Sequence, residues 1–401
     1  MNPQIIRAAL VLGLLSAIGP FAIDMYLPAL PAIGGNLGAD TAQVQMSLLA
    51  FMAAIAVCQL FYGPISDMVG RKPPLYFGMA LFSIGAIACA MAPSIEWLIV
   101  ARFVQGVGAC AAMALPRAIV RDGYTGADAA QLMSLLMLVF SVSPILAPLA
   151  GSVIIQFGDW RMIFWVVGAI GLLGIALTLF FLKETRPASA RLESSVGGAL
   201  RSYGVLLRDR RFIGLSMIGA FGMSSFMAYL ANSSFILIDH YGLSPTLYSV
   251  MFSINAVSFI GVSQLTGVMT RRFGLDRVVR TAVTGFIVTA VVLGAVFIAG
   301  IDRLDVLATL LFIGYGFLGL VIPTTAVLAM DEHGAIAGTA SALMGTLQLV
   351  TAAVVMGVVG SFFDGTAKPM VLGILVCAAI AFLLTQVTLR RKPASVAAAA
   401  E

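Results

Sequence analysis

Long apolar runs, each closed by a glycine, a proline or a charged residue, make up most of this chain. From Ile5 to Ile33, for example, the run is apolar except for Arg7, Ser16 and Asp24. A run of about 20 apolar residues spans the hydrocarbon of a bilayer when wound as a helix. Cutting at the punctuation predicts helices over 5–33, 42–64, 74–92, 95–120, 128–156 and 161–182. A second set follows over 212–239, 245–270, 277–299, 305–329, 336–362 and 369–389. Between the sets lies the polar stretch Lys183–Arg211, with room for a short amphipathic helix. The expected architecture is an all-α membrane protein: an N-terminal six-helix bundle (1–182), a linker loop (183–211), a C-terminal six-helix bundle (212–389) and a tail (390–401).

The halves resemble each other. GPISDMVGRKP from Gly63 and GVMTRRFGLDR from Gly267 follow the second and eighth predicted helices, each with glycine at the first and eighth positions. Met25-Tyr26-Leu27 has a counterpart in Ala228-Tyr229-Leu230, which sets Met227 where the first half has Asp24. Two related, pseudo-symmetric bundles with a substrate cavity between them near mid-membrane are the expected result.

Composition narrows the class. With 60% hydrophobic and 10% charged residues, against about a quarter charged in soluble domains, no aqueous fold could hide this surface. The net charge of +5 is read as loop topology and not as affinity for nucleic acid. Arg71, Lys72, Arg121, the arginines of 183–211, Arg271, Arg272, Arg277, Arg280 and the basic run 390–392 fall on one side, and Arg161, Arg303 and Lys368 on the other. Both termini and the central loop are therefore expected in the cytoplasm. The N-terminus lacks the pattern of a cleaved signal, so the first helix is expected to be retained. Cys58, Cys89, Cys110 and Cys377 sit singly in apolar runs and read as reduced packing residues.

Asp24 is the chemical centre. An ionised carboxylate in mid-membrane costs roughly 2.5 to 3.5 kcal/mol on insertion scales, so such residues face the bundle interior and mark ion or proton pathways. Burial disfavours the charged form, which would let Asp24 take up and release a proton; the alternative is a pairing that only fixes helix packing. Pro20 and Pro28 bend the same helix, as at transporter binding sites. In the fourth helix Arg102 precedes a glycine-rich face, and its permanent charge demands a partner. Gln105, three residues on, is placed to share that partner, and Asp24 is a candidate for it. Arg102 is read either as tuning the proton affinity of Asp24 or as paired statically with carbonyls. In the fifth, Pro144 and Pro148 lie one turn apart, and Gly151 with Ala147 offers a small-residue packing face.

Three of these strings resemble signatures of the major facilitator superfamily. Gly63-Pro64-Ile65-Ser66-Asp67-Met68-Val69-Gly70-Arg71-Lys72 is similar to the motif between its helices 2 and 3. There Gly63 would allow close helix approach, Gly70 a tight turn, and Asp67 would face both Arg71 and a helix N-terminus, latching the cytoplasmic ends of the bundles. The Arg102 segment resembles a second pattern. Ser141-Val142-Ser143-Pro144-Ile145-Leu146-Ala147-Pro148-Leu149-Ala150-Gly151 resembles the antiporter signature of drug exporters, with Ala147 and Ala150 where glycines are common. Arg117-Ala118-Ile119-Val120-Arg121-Asp122-Gly123-Tyr124, with Asp24-Met25-Tyr26-Leu27-Pro28, resembles the Bcr/CflA drug-resistance family, and implies that Arg121 and Asp122 belong to the cytoplasmic latch. Several members carry a further acid where this chain has Ser16.

The resemblance implies a proton/drug antiporter of the bacterial inner membrane, exporting bicyclomycin-, chloramphenicol- or tetracycline-type compounds, with the proton gradient as energy source and no cofactor. Phe21, Tyr26, Phe226, Tyr229, Asn232, Asn255 and Gln348 are candidates for the cavity wall, each with a packing role as alternative. Small molecule, proton and lipid are the expected partners, nucleic acid is not, and the chain is expected to act as a monomer. Asp331-Glu332-His333 reads as a turn and not a metal site, and no catalytic constellation is seen at membrane depth. Export of a small metabolite such as an amino acid or sugar is the alternative; a membrane receptor or enzyme is the alternative of another class.

Overall fold

The computed structural model describes residues 3–186 and 196–389. The expected tail (390–401) and part of the linker, including Arg191, lie outside the described residues. Among the described residues, twelve helices are long and apolar enough to cross a membrane. Spans 1 to 6 are Ile6–Leu37, Thr41–Val69, Lys72–Ala90, Ile95–Gly123, Gln131–Ile154 and Arg161–Phe181. Spans 7 to 12 are Arg210–His240, Pro245–Phe273, Leu275–Ile298, Leu304–Met330, Ala337–Ser361 and Lys368–Thr388. A short helix, Val196–Arg208, precedes span 7, and no strand occurs among the described residues.

Local chemistry sets the ends. Asp40 caps span 2 in a capping box, accepting from the Gln43 amide at 2.7 Å while the Gln43 side chain accepts from the Asp40 amide at 3.0 Å. Ser94 and Ser244 cap spans 4 and 8, and Asp209 caps span 7. Gly70 and Gly274, the eighth residues of the two repeated strings, end spans 2 and 8 with φ of 97° and 81°, backbone that a side chain would strain.

Span 1 is not one helix. Its α-helix stops at Asp24, a 3-10 turn follows at Leu27–Ala29, and a new helix runs over Leu30–Leu37. Pro28 explains the break, since it has no N–H to give the carbonyl of Asp24. Span 7 closes on a π turn, Phe235–His240. Span 8, predicted continuous, divides into Pro245–Ser263 and Thr266–Phe273, whereas its counterpart span 2 stays one helix through Pro64.

Packing repeats between the halves. Spans 1 and 5, 2 and 4, 3 and 4, 3 and 6, 1 and 6, and 1 and 4 are in contact; so are 7 and 11, 8 and 10, 9 and 10, 9 and 12, 7 and 12, and 7 and 10. Each pair in the first half thus has its equivalent six spans later. The halves meet along spans 2 and 11 and spans 5 and 8.

Twelve spans in succession leave Pro3 and Leu389, the first and last described residues, on one face, here the terminal face. Near the other face the halves are bolted together. Gln45 Nε2 donates to Asn232 Oδ1 at 2.9 Å and to the Ala231 carbonyl at 3.2 Å, and Gln156 Nε2 donates to Thr246 Oγ1 at 3.1 Å. Ser249 and Ser253 of span 8 donate to the Pro148 and Ile145 carbonyls of span 5 at 2.9 and 3.0 Å. Toward the terminal face the links between described residues thin to Thr346 on the Ala56 carbonyl at 3.0 Å and, from the short linker helix, Tyr203 on the Leu60 carbonyl at 3.2 Å.

Candidate functional site

Asp24 ends the α-helical part of span 1, immediately before the break. It is 5% exposed, and its carboxyl makes no hydrogen bond or ion pair among the described residues. The turn that follows, Leu27–Ala29, is fully buried and packs on spans 5, 7 and 8. Asp24 therefore sits beside the turn on which both halves converge. Tyr248 of span 8, whose hydroxyl lies 3.1 Å from the Ser233 hydroxyl, was not singled out by sequence: a tyrosine inside an apolar run gives no sign of which bundle interior it faces.

Arg102 does not pair with Asp24. Its Nη1 donates to the Ala22 carbonyl at 3.1 Å and to Gln105 Oε1 at 2.7 Å. The guanidinium lies 4.4 Å from the Tyr26 ring centroid and 4.2 Å from that of Phe51. The broken helix supplies the reason: carbonyls in a last turn lack partners within their helix, and a cation held over π faces gains attraction without a carboxylate. Arg102 is 0% exposed, with Nε and Nη2 unbonded. Gln105, expected to share a partner with Arg102, is itself one of the partners.

Gly151 brings span 5 against this break. A Cβ there would overlap the carbonyl oxygen of Met25, so only glycine permits the approach. Ala147 is buried on the same helix, and the Pro148 carbonyl accepts from Ser249 across the interface between halves. Pro144 stays inside the helix, half-buried.

The basic-acidic string forms a cluster within the first half. Arg71 is 1% exposed and reaches Asp67 at 2.7 Å, Asp122 at 2.7 Å and Ser66 Oγ. The helix N-terminus in this cluster, the place foreseen for Asp67, is occupied by Glu184, which accepts from the Arg71 and Lys72 amides at 2.9 and 3.1 Å. Glu184 follows span 6 in an ordinary polar stretch, and no spacing rule links it to residue 71. Arg121 stays exposed, outside the cluster, where a Cβ on Gly338 of span 11 would lie 3.6 Å from its Nη1. Gly63 is not a close-approach glycine here, since a Cβ would meet open space.

The seven foreseen wall residues separate. Tyr26 and Tyr229 are equivalent and buried, with hydroxyls satisfied by Ser47 at 3.1 Å and by the Asn255 amide at 2.9 Å. Phe226, half-buried, is the hub of rings that include Tyr229, Phe252, Phe259 and Tyr315. Asn232 belongs to the seam with Gln45. Tyr26, Tyr229, Asn232 and Asn255 are thus internal to packing, because a buried polar atom in an apolar bundle must find a partner. Phe21 and Gln348 remain half-buried. A groove of 460 Å³ lined by Arg280, Thr281, Thr284, Gly285, Val288, Thr289 and Phe317 lies away from this centre, on spans 9 and 10. No cluster able to hold a metal ion occurs among the described residues.

Comparison with known proteins points one way. The family model described as Major Facilitator Superfamily matches residues 12–356. An uncharacterized MFS-type transporter of Bacillus subtilis is 40% identical, covering 90% of each chain. A bicyclomycin resistance protein homolog of Haemophilus influenzae is 29% identical over 93% of this chain and 94% of its own. A multidrug resistance protein of Shewanella oneidensis is 29% identical over 85% of each. Among solved structures, a D-xylose-proton symporter superposes with TM-score 0.74 at 16% identity, over 97% of this chain and 98% of its own. A bacterial homolog of the human lysosomal transporter Spinster gives 0.74 at 18%, over 98% and 100%.

Proposed function

Because the chain belongs to the Major Facilitator Superfamily and is similar to a bicyclomycin resistance protein homolog and a multidrug resistance protein, we propose that it is a proton-coupled efflux antiporter of the Bcr/CflA type. Its substrates would be small amphiphilic antibiotics of the bicyclomycin, chloramphenicol or tetracycline type, exported across the bacterial inner membrane by alternating access. In this reading the terminal face is cytoplasmic, in keeping with its excess of arginine and lysine. The bundles 1–182 and 212–389 rock as units joined by the linker 183–211, and one chain suffices.

One observation carries the reading: a buried carboxyl without a partner among the described residues stands at the break in span 1, beside a turn packed against both halves. A group so placed changes its surroundings whenever the halves tilt, so its proton affinity differs between the two states, which is what coupling requires. The cycle follows. Asp24 is protonated from the outside, the halves tilt, and release of the proton inward accompanies entry of substrate from the cytoplasm or inner leaflet. Arg102 fixes the break by holding the Ala22 carbonyl. The Asp67–Arg71–Asp122 cluster, with Glu184, stiffens the cytoplasmic end of the first bundle against the linker.

Purified protein in liposomes tests this. Chloramphenicol added to the wild type should evoke proton release, and Asp24→Asn should abolish it while inserting normally. Full drug resistance in cells carrying Asp24→Asn would remove that carboxyl from the mechanism.

A further inference from the structure

Arg117 stands apart from the machinery above. It lies in span 4, six residues before the helix ends at Gly123, hence about 9 Å inside the terminal face. Yet its side chain is exposed, and among the described residues it has no carboxylate partner, only the Phe140 ring of span 5 at 5.0 Å from its guanidinium.

Its direction can be read from its neighbours. Met113, one turn earlier, packs on Gly19 of span 1, and Phe140 belongs to span 5, the packing partner of span 1. The outward face of span 4 is carried by Val100 and Phe103, 65% and 46% exposed. At about 100° per residue Arg117 lies about 40° from Phe103 and about 100° from Val100, turned toward Met113 and so toward the side of spans 1 and 5. A permanent cation exposed at this depth, on that side of the helix, implies an opening to water there. Phe140 and the exposed Met137, three residues earlier on span 5, give that opening an apolar, adaptable wall.

We propose that Arg117 is the substrate-anchoring cation of the cytoplasmic vestibule, and that it selects amphiphiles carrying an anionic group beside an aromatic or apolar part. This rests on the antiport reading but departs from its substrate list, in which the bicyclomycin and chloramphenicol types carry no anionic group. The planar guanidinium offers paired donors to a carboxylate, while Phe140 and Met137 receive the apolar part. The charge balance agrees. Export of a monoanion against one proton at Asp24 moves two positive charges inward per cycle, so an inside-negative potential drives it twice over. A dication exchanged for that single proton would instead be carried against the field.

Binding of dansylglycine, an aromatic carboxylate, is compared with that of its neutral isostere dansylglycinamide on detergent-purified protein. Wild type should bind the acid at least about tenfold more tightly than the amide, as expected of a charge-assisted pair. Arg117→Gln should bring the ratio to about one with amide affinity unchanged, and Arg117→Lys should retain part of the preference. A wild-type ratio near one, which needs no variant to fold, overturns the proposal, and so does a ratio that survives Arg117→Gln. If the amide binds and chloramphenicol still evokes proton release while the acid is not preferred, the anchoring role falls and antiport stands. If neither compound binds and no proton release is seen, both fall.

Discussion

Gly151 and Arg102 show how few atoms hold the break in span 1 open for Asp24. Because a Cβ at Gly151 would overlap the Met25 carbonyl oxygen, Gly151→Ala must push span 5 off the break. Overpacking of this kind typically costs about 1–3 kcal/mol. The variant should melt at lower temperature in detergent and lose transport; an unchanged melting temperature would mean that the two spans do not need this approach. For Arg102 the informative change is to lysine. The charge survives, but not the plane that lies between Tyr26 and Phe51 while donating to Ala22 and Gln105. Arg102→Lys should therefore be nearly as inactive as Arg102→Met, whereas Tyr26→Phe, which removes only the hydroxyl shared with Ser47, should transport well. Rescue by lysine in a drug-export assay would show that charge alone is needed. Sequence marks Asp24 and Arg102 as out of place in lipid and Gly151 as part of a small-residue packing face. It does not reveal their partners, since a backbone carbonyl such as that of Ala22 becomes available only once the helix has broken.

At the scale of elements, predictable and unpredictable features divide by range. Proline and glycine act locally, so the break after Asp24 and the turns at Gly70 and Gly274 follow from the chain itself. The division of span 8 at Gln264 has no proline to announce it. The caps supplied from afar were equally hidden, as Glu184 on span 3 and His333 on Asp209 illustrate. Asp209 accepts from the Arg211 and Phe212 amides at 2.8 and 3.2 Å and lies 2.8 Å from His333 Nε2, tying the start of span 7 to the turn before span 11. Burial pushes the Asp209 carboxyl up, but the hydrogen bonds from His333 and the two amides outweigh it and hold the carboxyl below the ordinary aspartate range. A group with a depressed folded-state value contributes stability above its unfolded value, about 3.9, and loses it as pH falls through the folded one. The tie should accordingly persist from neutral pH to near pH 4 and fail below. Melting curves against pH should show a steeper acid limb for the wild type than for Asp209→Asn; identical limbs would mean that this carboxyl does not carry the tie.

The whole molecule is closed at the face opposite its termini by a few polar contacts that no single span encodes. The repeat in the sequence foretells two bundles, and the matching contact pairs in each half bear this out. How the bundles stand relative to one another is a different matter. Ser249 and Ser253 look like any serines on a helix, each within reach of the carbonyl four residues back in the same helix, until span 5 offers a second acceptor for the one hydroxyl proton. Net contributions of about 0.5–1.5 kcal/mol per hydrogen bond make this seam strong enough to bias the resting state and weak enough to open in a cycle. Gln45 and Asn232, bonded across it at 2.9 Å, give it a handle. With the native cysteines replaced, Gln45→Cys and Asn232→Cys together should be bridged by a short bis-methanethiosulfonate reagent in resting protein. The bridge should block transport, and cleaving it should restore transport. Adding Ser249→Ala and Ser253→Ala should slow the bridging by shifting the population toward the open seam. If the bridged protein still transports, or bridging speeds up when the serines are removed, this face does not have to part for the cycle to run.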